Sequence, residues 1–231
     1  MNLSMLQTQA VPLAEPESVE KTLSIIELIK SGGTAGQLII ILLFVLLVVA
    51  LYIYFERLFT IKSASKVDPN FMNEIKDHVS SGKIEAAKIL CAQENSPVSR
   101  LIQKGISRIG RPLADINSAI ENSGKLEVYN LEKNVSILAT ISGAAPMIGF
   151  LGTVIGMILS IFEIANSGGQ IDIKLLADGL YTAMTTTVAG LIVGIVAYIA
   201  FNHLVSRTNK VVYKMEANSV EFLDLLNEPA H

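Results

Sequence analysis

The chain has 231 residues, of which 51% are hydrophobic and 17% charged, against roughly 25% charged in a typical soluble domain. Net charge is −3 and mean hydropathy +0.49, so no basic excess points to nucleic acid. A single cysteine, Cys91, excludes a disulfide framework or a thiolate metal cage within the chain.

Residues 1–17, with Pro12 and Pro16, read as a disordered N-terminus. Ser18 then opens a segment over 18–33 whose Ile25, Ile26, Leu28 and Ile29 favour one face. Gly32 and Gly33 close it. This predicts an amphipathic helix lying on the outer membrane surface. Residues 36–55 carry no charge and are almost purely aliphatic. That is about the length needed to cross ~30 Å of hydrocarbon. Tyr52 and Tyr54 sit where interfacial aromatics belong. The span is too long, and too far from Met1, for a signal peptide.

Residues 56–134 read as a helical domain. Asp68-Pro69 predicts a cap and a proline at the first helical position. Phe71, Ile75 and Val79 follow at helical spacing, Ser81-Gly82 breaks the chain, and 84–92 resumes it. Ser96-Pro97 opens a helix with Val98, Leu101, Ile102, Ile106 and Ile109 on its apolar face, ended by Gly110-Arg111-Pro112. From Leu113, with Asp115 as cap, the pattern predicts one continuous helix to Phe162, about 70 Å long. Residues 135–162 and 179–202 are the second and third uncharged runs, joined by a turn over 163–178. Leu204, Val211, Met215 and Phe222 continue the third as a helix over 203–231. The fold class is all-α: three membrane spans whose long helices extend into a cytoplasmic bundle.

Orientation follows from Lys and Arg. Only Lys21 and Lys30 precede the first span and only Lys174 lies in the 163–178 turn, whereas twelve fall in 56–134 and three in the tail. The positive-inside rule then places 56–134 and the C-terminus in the cytoplasm, and the N-terminus and turn outside.

The second and third spans are rich in small and hydroxyl residues. Gly152 and Gly156 form a GxxxG step beside Gly149, and Gly190 and Gly194 form another. Small residues let helices approach closely in a membrane, so Pro146 and these glycines read as a packing set. Thr182 and Thr186 share a face, with Thr187 about 100° round. Together with Thr153 they define a candidate hydroxyl-lined seam suited to an ion or hydrated path, although a buried Thr can also satisfy itself on a carbonyl of its own helix. No Asp, Glu, His, Lys or Arg lies within 36–55, 135–162 or 179–202. A proton path needs a titratable relay, so a partner helix must supply it. Without such a partner, the same residues describe a membrane scaffold whose spans only pack. No GxxxxGK[ST], HExxH or Ser/His/Asp grouping is present, so neither an enzyme nor a cofactor is expected. Cys91 reads as a core residue and His78 as solvated. His203 is an interfacial anchor, Glu163 and Asp178 flank the outer turn, and Arg57, Lys62 and Lys66 serve topology and anionic headgroups.

Gly149-Phe-Leu-Gly-Thr-Val-Ile-Gly-Met, together with Leu180 to Gly194, resembles the MotA/TolQ/ExbB proton-channel family. The three-span layout is similar to the ExbB and TolQ branches rather than to four-span flagellar stators. The resemblance implies a pentamer in the bacterial inner membrane around two copies of a single-span ExbD- or TolR-like partner. Proton motive force would then drive a TonB- or TolA-like protein. It implies that the partner's Asp carries the proton and that Thr153 and Thr187 line the pore. An ExbB-type role in TonB-dependent transport is the expectation, with a TolQ-like Tol-Pal subunit as the alternative. Enterobacterial members carry a Glu where this chain has Thr182, which implies that hydroxyls and water form the relay beside the partner's Asp.

Overall fold

The computed structural model describes residues 33–166 and 173–227. The expected disordered N-terminus, the surface helix except its last glycine, and the centre of the 163–178 turn lie outside the described residues. Those described form seven α-helices and no strand: α1 (Gly33–Ala64), α2 (Phe71–Ser80), α3 (Ile84–Glu94), α4 (Pro97–Ile106), α5 (Leu113–Glu132), α6 (Val135–Asn166) and α7 (Ile173–Asn227). Three of them, α1, α6 and α7, are long and apolar enough to cross a membrane.

These three helices pack on one another through narrow stripes. On α1 the buried hydrophobic residues are Leu43, Ala50, Ile53 and Ile61, one side of a helix that elsewhere exposes Leu38, Phe44, Val48, Tyr52 and Phe59. An apolar face that large costs little in hydrocarbon and a great deal in water. Glu56 and Arg57 end the uncharged run but not the helix, which continues to Ala64. Arg57 is buried, pairs with Glu56, and donates from Nη1 to the Asn130 carbonyl in the last turn of α5 at 3.2 Å. A cation on unpaired C-terminal carbonyls is stabilising there, so Arg57 fastens α1 to the helical body.

That body consists of α2–α5 and the far half of α7. Ser96 caps α4: its Oγ accepts from the Ser99 amide at 3.1 Å, and Ser99 Oγ accepts from the Ser96 amide at 2.9 Å. Pro97 occupies the first helical position, as the sequence predicts. Val98, Leu101, Ile102 and Ile106 are buried against α5 and α7. Gly105 is where Phe222 of α7 and Ile120 of α5 press closest; a Cβ there would stand 2.6 Å from the Phe222 ring. Arg100 and Glu127 form a two-pronged pair, both bonds 2.7 Å, that ties α4 to α5. The Glu127 carboxylate holds the Arg100 guanidinium above its ordinary pKa. Cys91 is buried, and burial pushes its thiol up to about 12.

Two expectations fail locally. Asp68-Pro69 does not begin a helix: the Asp68 carboxylate accepts from the Asn70 amide at 2.8 Å and its carbonyl from the Phe71 amide at 3.0 Å, so α2 starts two residues later. That is an Asx turn, the local bond that Asp offers in competition with helix capping. The continuous helix over 113–162 is also broken. Helix α5 stops at Glu132, Asn134 takes a left-handed φ of 63°, and α6 begins at Val135. Asn enters this conformation more easily than most residues. Leu131 and Val135 stay buried on either side of the break. Asp115 lies in the first turn of α5 rather than at its cap.

Candidate functional site at the crossing of α6 and α7

Helices α6 and α7 run antiparallel and touch backbone to backbone. The small residues pair off in opposite order along them. Ser160 meets Gly179, Gly156 meets Ala183, Gly152 meets Thr186, Gly149 meets Gly190, and Pro146 meets Gly194. A Cβ on Gly190 would stand 2.6 Å from the Ala145 carbonyl and 2.9 Å from Gly149 Cα. One on Gly194 would stand 2.6 Å from the Pro146 ring. Pro146 has no N–H for the Ser142 carbonyl, and that carbonyl faces Gly194. In hydrocarbon, close van der Waals contact of this kind takes the place of the hydrophobic drive.

Three threonines meet in this seam. Thr186 is fully buried; its hydroxyl donates to the Ala183 carbonyl at 2.8 Å, with the Gly149 carbonyl at 3.3 Å. Thr153 and Thr187 are hydrogen-bonded to each other across the two helices. Thr187 Oγ1 also stands 3.2 Å from the Gly149 carbonyl, and Thr153 Oγ1 3.2 Å from the Ala183 carbonyl. Both are half-buried, so the pair sits at the open edge of the seam and Thr186 behind it. Thr182 points elsewhere: its methyl lies against Gly36 of α1, where a Cβ would come within 2.9 Å. The four threonines therefore do not share one face. Three gather on α6–α7 and the fourth packs toward α1.

The chemistry of the pair is permissive. Each hydroxyl has one proton, yet the Gly149 and Ala183 carbonyls and the other hydroxyl all accept it. Those carbonyls also take part in the helical backbone ladder. A threonine hydroxyl can therefore swing outward without orphaning a buried acceptor. A neutral bond of this kind contributes about 1 kcal/mol, whereas one to a charged group contributes about 1.5–3 kcal/mol. An ionised carboxylate at the seam's edge would win the hydroxyls. No cluster of His, Cys, Asp or Glu among the described residues is arranged to hold a metal.

Other contacts along these helices have weak sequence signals. Ser160 and Gly179 extend the small-residue ladder by the same four-residue step, which a search beyond glycine pairs would find. Tyr54 OH contacts His203 Nδ1 at 2.9 Å, while Arg207 Nε donates to His203 Nε2 at 3.3 Å. His203 is thus a link between α1 and α7. No local pattern places Tyr54 beside it.

Residues 93–217 match the MotA/TolQ/ExbB proton channel family, and the seam lies inside that stretch. An ExbB homolog of Methanothermobacter thermautotrophicus is 26% identical over 194 residues, 84% of this chain and 67% of its own. The biopolymer transport protein ExbB of Aquifex aeolicus is 38% identical over 112 residues, 47% of this chain and 74% of that one. The Tol-Pal system protein TolQ of Pseudomonas aeruginosa is 24% identical over 228 residues, 94% of this chain and 98% of that one. The alignment with an ExbB-like protein of Helicobacter pylori spans 60% of that relative. With three membrane-length helices and more than half its length matched, this chain belongs to the MotA/TolQ/ExbB proton channel family.

Proposed function

We propose that the chain is the channel subunit of an inner-membrane complex that converts proton motive force into work on the outer membrane. Residues 36–55, 135–162 and 179–202 hold no Asp, Glu, His, Lys or Arg, so the proton rides on an Asp in the single span of an ExbD- or TolR-like partner. Five copies of this chain surround two copies of that partner. The observation that carries this reading is the half-buried Thr153–Thr187 pair, bonded across α6 and α7 at the edge of an otherwise tightly packed seam.

The steps follow from the hydroxyl arithmetic. An ionised partner Asp takes hydrogen bonds from Thr153 and Thr187, and the backbone carbonyls they release keep their helical bonds. Protonation removes the charge that made those bonds the stronger ones. The neutral acid then leaves for a more apolar contact on α6 or α7. Loss of the proton to the cytoplasm restores the charge and draws the Asp to the next subunit's pair. Repetition turns one ring relative to the other. Thr186 is wholly buried behind the pair; its hydroxyl bonds to the Ala183 carbonyl of its own helix, with the Gly149 carbonyl of α6 at 3.3 Å.

ExbB-type work for a TonB-like client is the reading favoured here; TolQ-type work for a TolA-like client uses the same seam. The cytoplasmic placement of α2–α5 rests on the charge distribution. Affinity purification of the chain from its native membrane tests the assignment. A stoichiometric single-span protein with an intramembrane Asp is expected. A complex lacking any such protein, with function unaffected by collapse of the proton gradient, would leave only the scaffold.

A further inference from the structure

A second site lies at the other end of the spans. Between α1 and α7, a cavity of about 370 Å³ opens over Leu58 and Ile61. Lys62, His203, Arg207, Lys210 and Lys214 line it, and no carboxylate does. Arg207, Lys210 and Lys214 follow one face of α7 at steps of three and four residues, and Lys62 faces them from α1. Lys214 Nζ is held by the Ser65 carbonyl at 3.1 Å. His203 accepts from Arg207 on Nε2, so its polar edge is spent between Arg207 and Tyr54. The positive charge of the cavity therefore rests on four side chains with no anion among its walls.

The surroundings identify the anion. Ile199 and Ile192 are exposed on the same side of α7, about one and three turns before His203, and Phe55 and Phe59 are exposed on α1. Apolar surface thus runs down to the cavity and stops where the cations begin. A ligand that fits both has a phosphate at one end and acyl chains at the other.

We propose that this cavity binds the headgroup phosphate of an anionic phospholipid of the cytoplasmic leaflet, with its chains along α1 and α7. Basic residues at a membrane surface attract such lipids individually; here four converge on one cavity. The bound lipid would cement α1 to α7 where Tyr54, His203 and Ser65 already join them. The proposal rests on α1 and α7 spanning the membrane, and its test separates the two.

The probe is spin-labelled phosphatidylglycerol, compared with spin-labelled phosphatidylcholine, on the intact chain in lipid nanodiscs. The wild type is expected to immobilise phosphatidylglycerol at least about threefold more strongly. Lys210→Gln leaves the Arg207–His203 and Lys214–Ser65 bonds in place and is expected to weaken that preference. The triple variant Arg207→Gln/Lys210→Gln/Lys214→Gln is expected to abolish it. Lys83→Gln, at an exposed lysine that precedes α3 and does not line the cavity, is expected to keep it. Equal binding of the two lipids by the wild type would overturn the proposal, as would an unchanged preference in both cavity variants. Displacement of the labelled lipid by excess inorganic phosphate would also overturn it, in favour of a soluble anion. A chain that does not enter the discs would contradict the membrane span itself, and the lipid site with it.

Discussion

Gly149 and Gly190 stand back to back where α6 crosses α7, so close that a Cβ on Gly190 would lie 2.9 Å from Gly149 Cα. Neither side can yield, because both contacts are backbone. Gly143, on the same helix, has nothing within 4 Å of the equivalent position. Gly190→Leu is therefore expected to separate the helices and to lower stability by about 1–3 kcal/mol or more, with loss of the assembled complex. Gly143→Ala is expected to be harmless. Thermal unfolding in detergent, read beside the yield of assembled protein, distinguishes them; equal melting of the two variants would contradict the close crossing.

Arg57, paired with Glu56 on its own helix, joins α1 to α5 through the Asn130 carbonyl. Arg57→Ala is expected to cost about 1–2 kcal/mol, discounted because Asn130 is exposed and water can replace part of the bond. Arg57→Lys keeps the charge but not the fork, and should fall between. The melting temperatures of the three proteins check the order.

Cys91 gives a pH dependence with a definite sign. Its thiol is raised to about 12 in the fold, against ~8.5 when exposed. The neutral form is thus favoured by folding, and the contribution is complete below about pH 8.5. It is lost as pH rises from there toward 12. Alkaline unfolding is expected to be shallower in Cys91→Ala, whatever that variant loses at neutral pH. At pH 8 the folded thiolate fraction is only about 10⁻⁴, so iodoacetamide should label Cys91 after denaturation and not before. Rapid labelling of the folded protein would contradict its burial.

Much of the fold is legible in the residues. The uncharged runs mark all three membrane-length helices, and Ser96-Pro97 marks the start of α4. What escapes are choices made by competition. Asp68 could cap a helix or close a turn, and the amide of Asn70 decides for the turn. Asn134 looks like one more polar residue in a helical run, yet its left-handed φ splits α5 from α6. At the seam, the glycine steps are readable, and so is the proximity of Thr153 to Thr187. The separation of Thr182 from them depends on where α1 packs, and no spacing along α7 encodes that. The same is true of Arg57 on Asn130 and of the basic cavity between α1 and α7, which unite residues far apart in sequence.

The central claim is that the Thr153 and Thr187 hydroxyls handle a carboxylate that carries the proton. Its most direct measurement is proton-gradient-driven uptake or envelope function in cells expressing Thr153→Val, Thr187→Val or Thr187→Ser at normal levels, with partner co-purification confirmed for each. Loss of one hydroxyl bond to a charged group corresponds to about tenfold or more. Both valine variants are predicted to lose at least that much activity while still binding the partner, and Thr187→Ser to retain most of it. Full activity in both valine variants would contradict the account.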